Sequence, residues 1–290
     1  KMTSFALKYL ALAAMLLDHV AAVLYRCGWM GWTLKTALRC IGRLAFPIIA
    51  WQTAQSWRHT SDKYRYLQRL LLGAAVSAVP YSLTFGTAGD GTLLALSISG
   101  WQLAGALAGT AAAVYGAWTE SDAKKRPGAI CVTAAAALML LFSVQVNGIC
   151  LLGGRQSIFY TLAAGCIVCS LLDADETKTP MGYLWRAAVL LALVGCVKID
   201  YDVRGIFLIA AFFLVKKPWQ NAVAVLIFAL WSAAYGSWSR ESLIYLVGYC
   251  ASLVFILTAN GQRGKGDKRL FYIIYPAHLA VLGAAQVLLH

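Results

Sequence analysis

Long apolar segments, separated by short polar loops, constrain the fold of this chain more than any other feature. We place eleven of them at residues 5–25, 35–57, 66–86, 92–118, 129–146, 157–172, 183–199, 203–215, 219–236, 242–258 and 270–289. A helix needs about 20 apolar residues to cross the hydrocarbon core of a bilayer, and most of the segments approach that length. The sequence therefore predicts an all-α fold, a polytopic bundle of about 10 or 11 transmembrane helices. The lower number applies if the short segment 203–215 does not cross.

The composition agrees with this class. Hydrophobic residues form 60% of the chain and charged residues 13%, proportions that a soluble domain could not bury. We find no internal repeat and no low-complexity linker, so we expect a single domain over residues 1–290. The net charge of +13 comes from Lys and Arg dispersed over short loops, which favours a lipid bilayer as partner and gives no reason to expect nucleic acid.

The basic residues concentrate in alternate loops. These residues are Arg58, Lys63 and Arg65; Lys124, Lys125 and Arg126; Lys178; Lys216 and Lys217; and Arg263, Lys265, Lys268 and Arg269. Under the positive-inside rule, the amino terminus and these loops face the cytoplasm.

Asp18 and His19 place two ionisable side chains inside the first apolar segment, where such groups are costly and indicate function. Histidine takes up and returns a proton near neutral pH, so His19 suits the role of general base. Adjacent side chains on a helix diverge by about 100°, so we expect Asp18 to pair with an arginine of another helix. In the alternative interpretation, both side chains only satisfy polar groups across a helix interface.

Arg39 and Arg43 lie four residues apart in the second segment, on one helix face. Two like charges there repel unless an anion lies between them, and Asp18, a substrate carboxylate or a phosphate would serve. Both arginines are therefore candidates for a site that holds an anion. Snorkelling to the membrane interface is the alternative, and it suits Arg39 better than Arg43.

Basic side chains lie near the predicted cytoplasmic face. Lys8 precedes His19 by eleven residues, close to three helical turns, so the two share a helix face, with a cation at the inner end and an imidazole at depth. Arg65 and Arg69 form a pair at the start of the third segment, where they are candidates for holding a cytosolic phosphate-bearing cofactor. The positive-inside rule alone also predicts basic residues at that position.

Two polar groups lie further along the chain. Asp200 belongs to a charged turn on the predicted outer side, where pairing within the turn is the alternative interpretation. Tyr275, Pro276 and His278 lie inside the last segment, where proline frees a carbonyl and histidine is costly. Asp200, Tyr275 and His278 are therefore candidate site residues.

Together these motifs resemble the TraX family of bacterial membrane proteins, which is named for a conjugal-transfer protein that N-acetylates pilin. The resemblance is carried by Leu7-Lys8, Met15-Leu-Leu-Asp18-His19, Arg39-x-x-Gly42-Arg43-Leu-Ala-Phe-Pro47, Tyr66-x-x-Arg69, Asp200-Tyr201-Asp202-x-x-Gly205, Asn260-Gly261-x-Arg263-Gly264 and Phe271-Tyr-x-x-Tyr275-Pro276-x-His278-Leu279. These motifs run from the first segment to the last. TraX-like proteins are in turn similar to the membrane acyltransferase-3 superfamily, although Lys8 replaces its usual arginine and the last motif is spaced differently.

The resemblance implies acyl transfer in the bacterial inner membrane. Acetyl-CoA from the cytosol would be the co-substrate, and the acceptor would be an amine or hydroxyl of an exported protein or cell-surface glycan on the outer side. His19 and Asp18 would form the catalytic site, and Lys8, Arg65 and Arg69 would bind the coenzyme. The substrate or oxyanion site would consist of Arg39, Arg43, Asp200, Tyr275 and His278. No metal is expected, since most of the eight cysteines lie inside apolar segments, where a buried free thiol is the expected state.

Two other functions remain open from the sequence. A secondary transporter or flippase would use the buried charges as a relay, although we find none of the inverted repeats typical of that class. A non-enzymatic assembly partner in a pilus or secretion apparatus would need neither His19 nor the arginines at depth.

Overall fold

The computed structural model of the chain describes residues 1–86, 94–96, 100–146, 149–153, 156–173, 179–196, 199–267 and 269–289. The helices of these residues are α1 (Ser4–Arg26), α2 (Trp32–Gly42), α3 (Ala45–His59), α4 (Lys63–Phe85), α5 (Gly100–Glu120), α6 (Arg126–Leu141), α7 (Ile158–Leu172), α8 (Pro180–Gly195), α9 (Asp202–Leu214), α10 (Pro218–Tyr235), α11 (Arg240–Leu257) and α12 (Leu270–Leu289). The strands are β1 (Leu94–Leu96), β2 (Phe142–Val146) and β3 (Ile149–Leu152). Lys178 and Lys268 of the predicted basic loops lie outside the described residues.

Three helices of the described chain are long and apolar enough to cross a membrane: Ser4–Arg26, Arg240–Leu257 and Leu270–Leu288. Shorter apolar helices occur at Arg126–Leu141, Ile158–Leu172 and Pro180–Gly195. The predicted class, an all-α membrane protein, is confirmed. The number of helices that cross the bilayer stays a prediction.

The second apolar segment, predicted as one helix, is two helices in the structure. Helix α2 ends at Gly42 and α3 begins at Ala45. Pro47 lies in the first turn of α3 and has no N–H to donate to the carbonyl of Arg43, so the helical ladder cannot continue through this point. The break leaves Arg43 as the C-cap of α2.

The apolar segments 92–118 and 129–146, also expected to be helices throughout, contain strands. Strand β1 pairs antiparallel with β2, and β2 with β3. Residues 142–146 read Phe-Ser-Val-Gln-Val, an alternation of apolar and polar side chains that is typical of a strand rather than a helix. Hydropathy averaged over a long window does not separate this pattern from a helical one.

The chain forms two compact units. Residues 1–58, 207–278 and 288–290 form the first unit, and residues 59–206 and 279–287 form the second. The assignment of the whole chain to a single domain stays a prediction.

Each unit has its own core. In the first unit α1 packs on α2, and α11 packs on both α2 and α10. Its core contains Phe228, whose ring centroid lies 5.4 Å from that of Phe46 and 5.0 Å from that of Tyr249. In the second unit α5 packs on α8 and α6, and α4 packs on α6 and α7. Gly73 lets α4 approach the buried ring of Phe159, since a Cβ at Gly73 would lie 3.0 Å from that ring.

Candidate functional site

The carboxylate of Asp18 lies between two guanidinium groups in the first unit. Its Oδ1 atom accepts a hydrogen bond from Arg39 Nε at 3.1 Å and from Arg43 Nη2 at 3.0 Å. Asp18 is buried, at 8% exposure. The predicted pairing of Asp18 with arginines of another helix is therefore present, and the carboxylate separates two like charges that would otherwise repel.

Gly42 makes this pairing possible. A Cβ atom at Gly42 would overlap the side chain of Asp18, so only glycine lets α2 approach α1 this closely. A second glycine, Gly248 on α11, lies against Arg43 and the carbonyl of Cys40 in the same way. The sequence placed Gly42 in a motif between the two arginines but gave it no role, and Gly248 was not singled out.

His19 and His278 form the second feature of the site. His19 Nδ1 lies 2.7 Å from His278 Nε2, and the two rings are nearly parallel, with an angle of 16° between them. His278 Nδ1 lies 2.8 Å from the carbonyl oxygen of Ile274, which can only accept a hydrogen bond. When both rings are neutral, His278 therefore donates from Nδ1 and accepts at Nε2, so His19 carries its proton on Nδ1. The Nε2 atom of His19 then has the lone pair that a general base needs.

Tyr275 packs on both histidines. Its ring meets them edge-on, with centroids 6.3 Å from His19 and 5.6 Å from His278. It is 2% exposed, and Pro276 follows it inside α12. Tyr275 thus fixes the orientation of the imidazole pair by packing.

A cluster that the sequence analysis missed continues from the arginines. Tyr245 lies with its ring centroid 4.9 Å from the guanidinium carbon of Arg43, and its hydroxyl donates to Glu241 Oε2 at 3.3 Å. Glu241 also accepts from Trp32 Nε1 at 2.7 Å and from the buried Lys35. The available signal was a lone lysine within α2 and a lone glutamate at the start of α11, a pattern that indicates pairing between the two helices.

The charges of this region do not cancel. Lys35 pairs with Glu241, whereas Arg39 and Arg43 both pair with the carboxylate of Asp18, so among these five side chains the positive charges outnumber the negative ones. The side chain of Arg39 is 28% exposed. The arrangement therefore suits a group that carries or develops negative charge.

The remaining predicted residues are Lys8 in the first unit and Arg65, Arg69 and Asp200 in the second. Lys8 lies in the first unit near the start of α1, eleven residues from His19, or about 16 Å along the helix axis. Arg65 and Arg69 are exposed on α4 in the second unit, and Arg69 lies with its guanidinium carbon 5.4 Å from the ring centroid of Tyr66. This exposure leaves both arginines accessible to a soluble anion.

Asp200 also belongs to the second unit, in the turn before α9. Its Oδ1 accepts from the backbone N–H of Tyr201 at 3.1 Å, and Tyr201 and Asp202 have positive φ angles of 60° and 47°. Asp202 lies 3.9 Å from Arg204, so part of the charged turn is paired internally, as the alternative interpretation holds. Among the described residues, no group of three or more His, Cys, Asp and Glu side chains is arranged to hold a metal ion.

Comparison with known proteins gives one match. The model of the TraX protein family matches residues 4–154 and 149–286, which is nearly the whole chain. No curated protein and no solved structure matches it. The family match covers every motif of the Asp18 and His19 region, and the chain belongs to the TraX family of membrane proteins.

Proposed function

We propose that this protein is a membrane acyltransferase that moves an acetyl group from cytosolic acetyl-CoA to an amine or hydroxyl acceptor on the extracytoplasmic side. The TraX family's association with pilin acetylation supports this class of reaction. The single observation that carries the proposal is the contact of His19 with His278, because it holds one imidazole in the tautomer of a general base.

The reaction needs no covalent intermediate on the protein. His19 Nε2 takes the proton of the acceptor amine or hydroxyl as its nitrogen or oxygen attacks the thioester carbonyl carbon. The new bond forms and the carbonyl oxygen becomes an oxyanion. When the carbon–sulfur bond breaks, the thiolate of coenzyme A leaves and takes the proton from His19. The base is thereby restored.

The other residues of the cluster stabilise or position this step. Arg39 and Arg43 carry the excess positive charge and would stabilise the oxyanion. Asp18 holds both guanidinium groups in place, and His278 and Tyr275 hold His19.

Coenzyme binding falls to basic side chains. Lys8, Arg65 and Arg69 would bind the phosphates of the coenzyme, a role that their guanidinium and ammonium groups suit. Asp200 would contact the acceptor. The acceptor itself would be an exported protein, such as a pilin amino terminus, or a cell-surface glycan.

Release of free thiol from acetyl-CoA tests the proposal. Protein purified in detergent is mixed with acetyl-CoA and a peptide that has a free amino terminus, and thiol is measured with and without the peptide. We expect release that depends on the peptide and yields an acetylated peptide. Absence of release at millimolar donor, with binding of acetyl-CoA also absent, would overturn the proposal.

A proton-coupled transporter is the second candidate, and the bonded imidazole pair favours it, because two histidines in contact can pass a proton along. In sealed vesicles, this function would give proton movement that depends on a transported solute and releases no thiol. Thiol release and proton movement, measured on the same purified protein, therefore distinguish the two functions.

A further inference from the structure

The second unit contains an apolar cavity that the proposed reaction does not use. It lies among helices α4 to α8, is partly open, and has a volume of about 70 Å³. A water molecule needs about 10–15 Å³ on this measure, so the cavity admits a row of about five heavy atoms. It is therefore a slot for a narrow chain, too small for a bulky ring system.

Small side chains create the slot. They come from α5, α6 and α7 and include Ala106, Gly109, Ala113, Ala136, Ala137 and Ala163. A Cβ atom at Gly109 would overlap Ala192, and one at Gly116 would lie 2.8 Å from the ring of Trp185, so α5 and α8 are already in close contact at these positions. The cavity therefore lies between helices that are in close contact elsewhere along their length.

A buried donor without an acceptor lies in the wall of the cavity. Trp185 lines the cavity and is 5% exposed, and its indole N–H has no hydrogen-bond acceptor among the described residues. Buried polar groups of proteins nearly always have a partner, and an orphan calls for a ligand or water to supply one. An oxygen atom of a bound molecule would satisfy this N–H.

A second unsatisfied polar atom lies beside the cavity. Gln68 donates from Nε2 to Tyr64 OH at 2.8 Å and to Thr133 Oγ1 at 3.1 Å, and its Oε1 has no partner among the described residues. Both hydroxyls can also donate, so turning the amide over would leave the other atom unsatisfied instead. Tyr64 and Thr133 line the cavity, which therefore combines an apolar wall with unused hydrogen-bonding capacity.

The uncharged lining of the cavity favours an apolar chain whose polar end is neutral over one whose polar end is charged. None of the described residues lining the cavity is charged. Arg186 lies beside Trp185, with its guanidinium carbon 4.4 Å from the ring centroid, but it already pairs with Glu120 at 3.2 Å. The carboxylate of a free fatty acid would therefore lack a counter-charge of its own, which is unfavourable in such a site. A neutral ester carbonyl needs only a donor, such as the N–H of Trp185.

We propose that this cavity binds the ester end, about five heavy atoms, of one acyl chain of a bilayer phospholipid, with the ester carbonyl oxygen accepting a hydrogen bond from the indole N–H of Trp185. The surrounding bilayer would supply this ligand in large excess, which favours occupancy of the site by mass action. The inference does not depend on acyl transfer.

Photo-crosslinking in vesicles tests the site. The full chain is reconstituted into phosphatidylethanolamine and phosphatidylglycerol vesicles that contain a phospholipid with a photoreactive acyl chain, and labelled peptides are identified by mass spectrometry. We expect labelling of α5, α6 and α8 at residues that line the cavity. Labelling confined to the outer faces of these helices would identify the cavity as an empty packing void and overturn the proposal.

Matched variants sharpen the test. Ala113→Leu fills the slot, whereas Ala111→Leu adds the same side chain at an exposed position of the same helix. We expect roughly tenfold less cavity labelling in Ala113→Leu and no change in Ala111→Leu. If Ala113→Leu does not fold, Ala137→Leu on α6 replaces it. Equal labelling of the filled and wild-type cavities would contradict the proposal.

Trp185→Phe keeps the aromatic ring and removes the donor. We expect it to reduce cavity labelling by the phospholipid several-fold and to leave labelling by a photoreactive hydrocarbon without an ester unchanged. Stronger labelling by a photoreactive free fatty acid than by the phospholipid would overturn the assignment of a neutral ester.

Discussion

His278 Nε2 lies 2.7 Å from His19 Nδ1, although 259 residues separate the two side chains along the chain. The contact joins the first helix to the last, and the carbonyl of Ile274 sets the direction in which its protons point. It gives the cluster of Asp18, Arg39 and Arg43 a neighbouring base whose tautomer is defined.

Removal of His278 should reduce the rate of transfer while leaving binding of the donor intact. His278→Ala takes away the acceptor that fixes the tautomer of His19, and we expect kcat to fall by about 10²-fold with little change in KM for acetyl-CoA. His278→Gln retains an oxygen that can accept from His19 Nδ1 and should recover part of the rate. An equal fall in kcat in the two variants, or a change confined to KM, would contradict the positioning role of His278.

Asp18→Asn should destabilise the first unit. It leaves two guanidinium groups close together without a carboxylate, and we expect the free energy of unfolding to fall by about 3 kcal/mol. The double variant Asp18→Asn with Arg43→Gln removes one of the repelling charges and should regain part of the loss, which a double-mutant cycle in detergent measures.

The control for this effect is Asp122→Asn. Asp122 pairs with Lys125 at 2.9 Å, but both side chains are largely exposed, so no measurable change in stability is expected. A similar fall in the free energy of unfolding in Asp18→Asn and Asp122→Asn would show that the buried pairing of Asp18 contributes no more to stability than an exposed ion pair.

Gly42→Ala should disturb the site through packing alone. The added methyl group overlaps Asp18, so we expect a loss of about 1–3 kcal/mol in the free energy of unfolding, together with reduced activity. Gly128→Ala adds the same methyl group in the first turn of α6, where nothing lies within 4 Å, and should be neutral or slightly stabilising. Thermal unfolding of the two variants side by side makes the comparison, and an unaffected Gly42→Ala would refute the close approach of α1 and α2.

The proposed donor site predicts a different kinetic signature. Arg65→Ala and Arg69→Ala should each raise KM for acetyl-CoA and weaken its binding, with kcat nearly unchanged, because these side chains would bind the phosphates of the coenzyme and take no part in the chemical step. Lys216→Ala removes a charge from another exposed basic loop and should have no effect. If KM for acetyl-CoA is the same in Arg65→Ala, Arg69→Ala and Lys216→Ala, the arginines do not bind the coenzyme and only contribute positive charge to a cytoplasmic loop.

The sequence predicted the membrane class because apolar composition and segment length depend only on local residues, and each predicted segment contains a helix. The pairing of Asp18 with Arg39 and Arg43 was also predictable, since buried like charges four residues apart require an anion. The contact of His278 with His19 was not predictable, because hydropathy does not specify which helices are neighbours. Tyr245 and Glu241 were missed for the same reason, and the strand at residues 142–146 because its apolar character matches that of a helix.

The measurement that tests the central claim most directly is the rate of labelled acetyl transfer from acetyl-CoA to a peptide amine by wild-type protein, His19→Gln and His59→Gln. His59 is an exposed histidine at the end of α3 and serves as the control. The account predicts a loss of roughly 10²–10⁴-fold in kcat for His19→Gln, with acetyl-CoA still bound, and an unchanged rate for His59→Gln. Transfer by His19→Gln at the wild-type rate would contradict it.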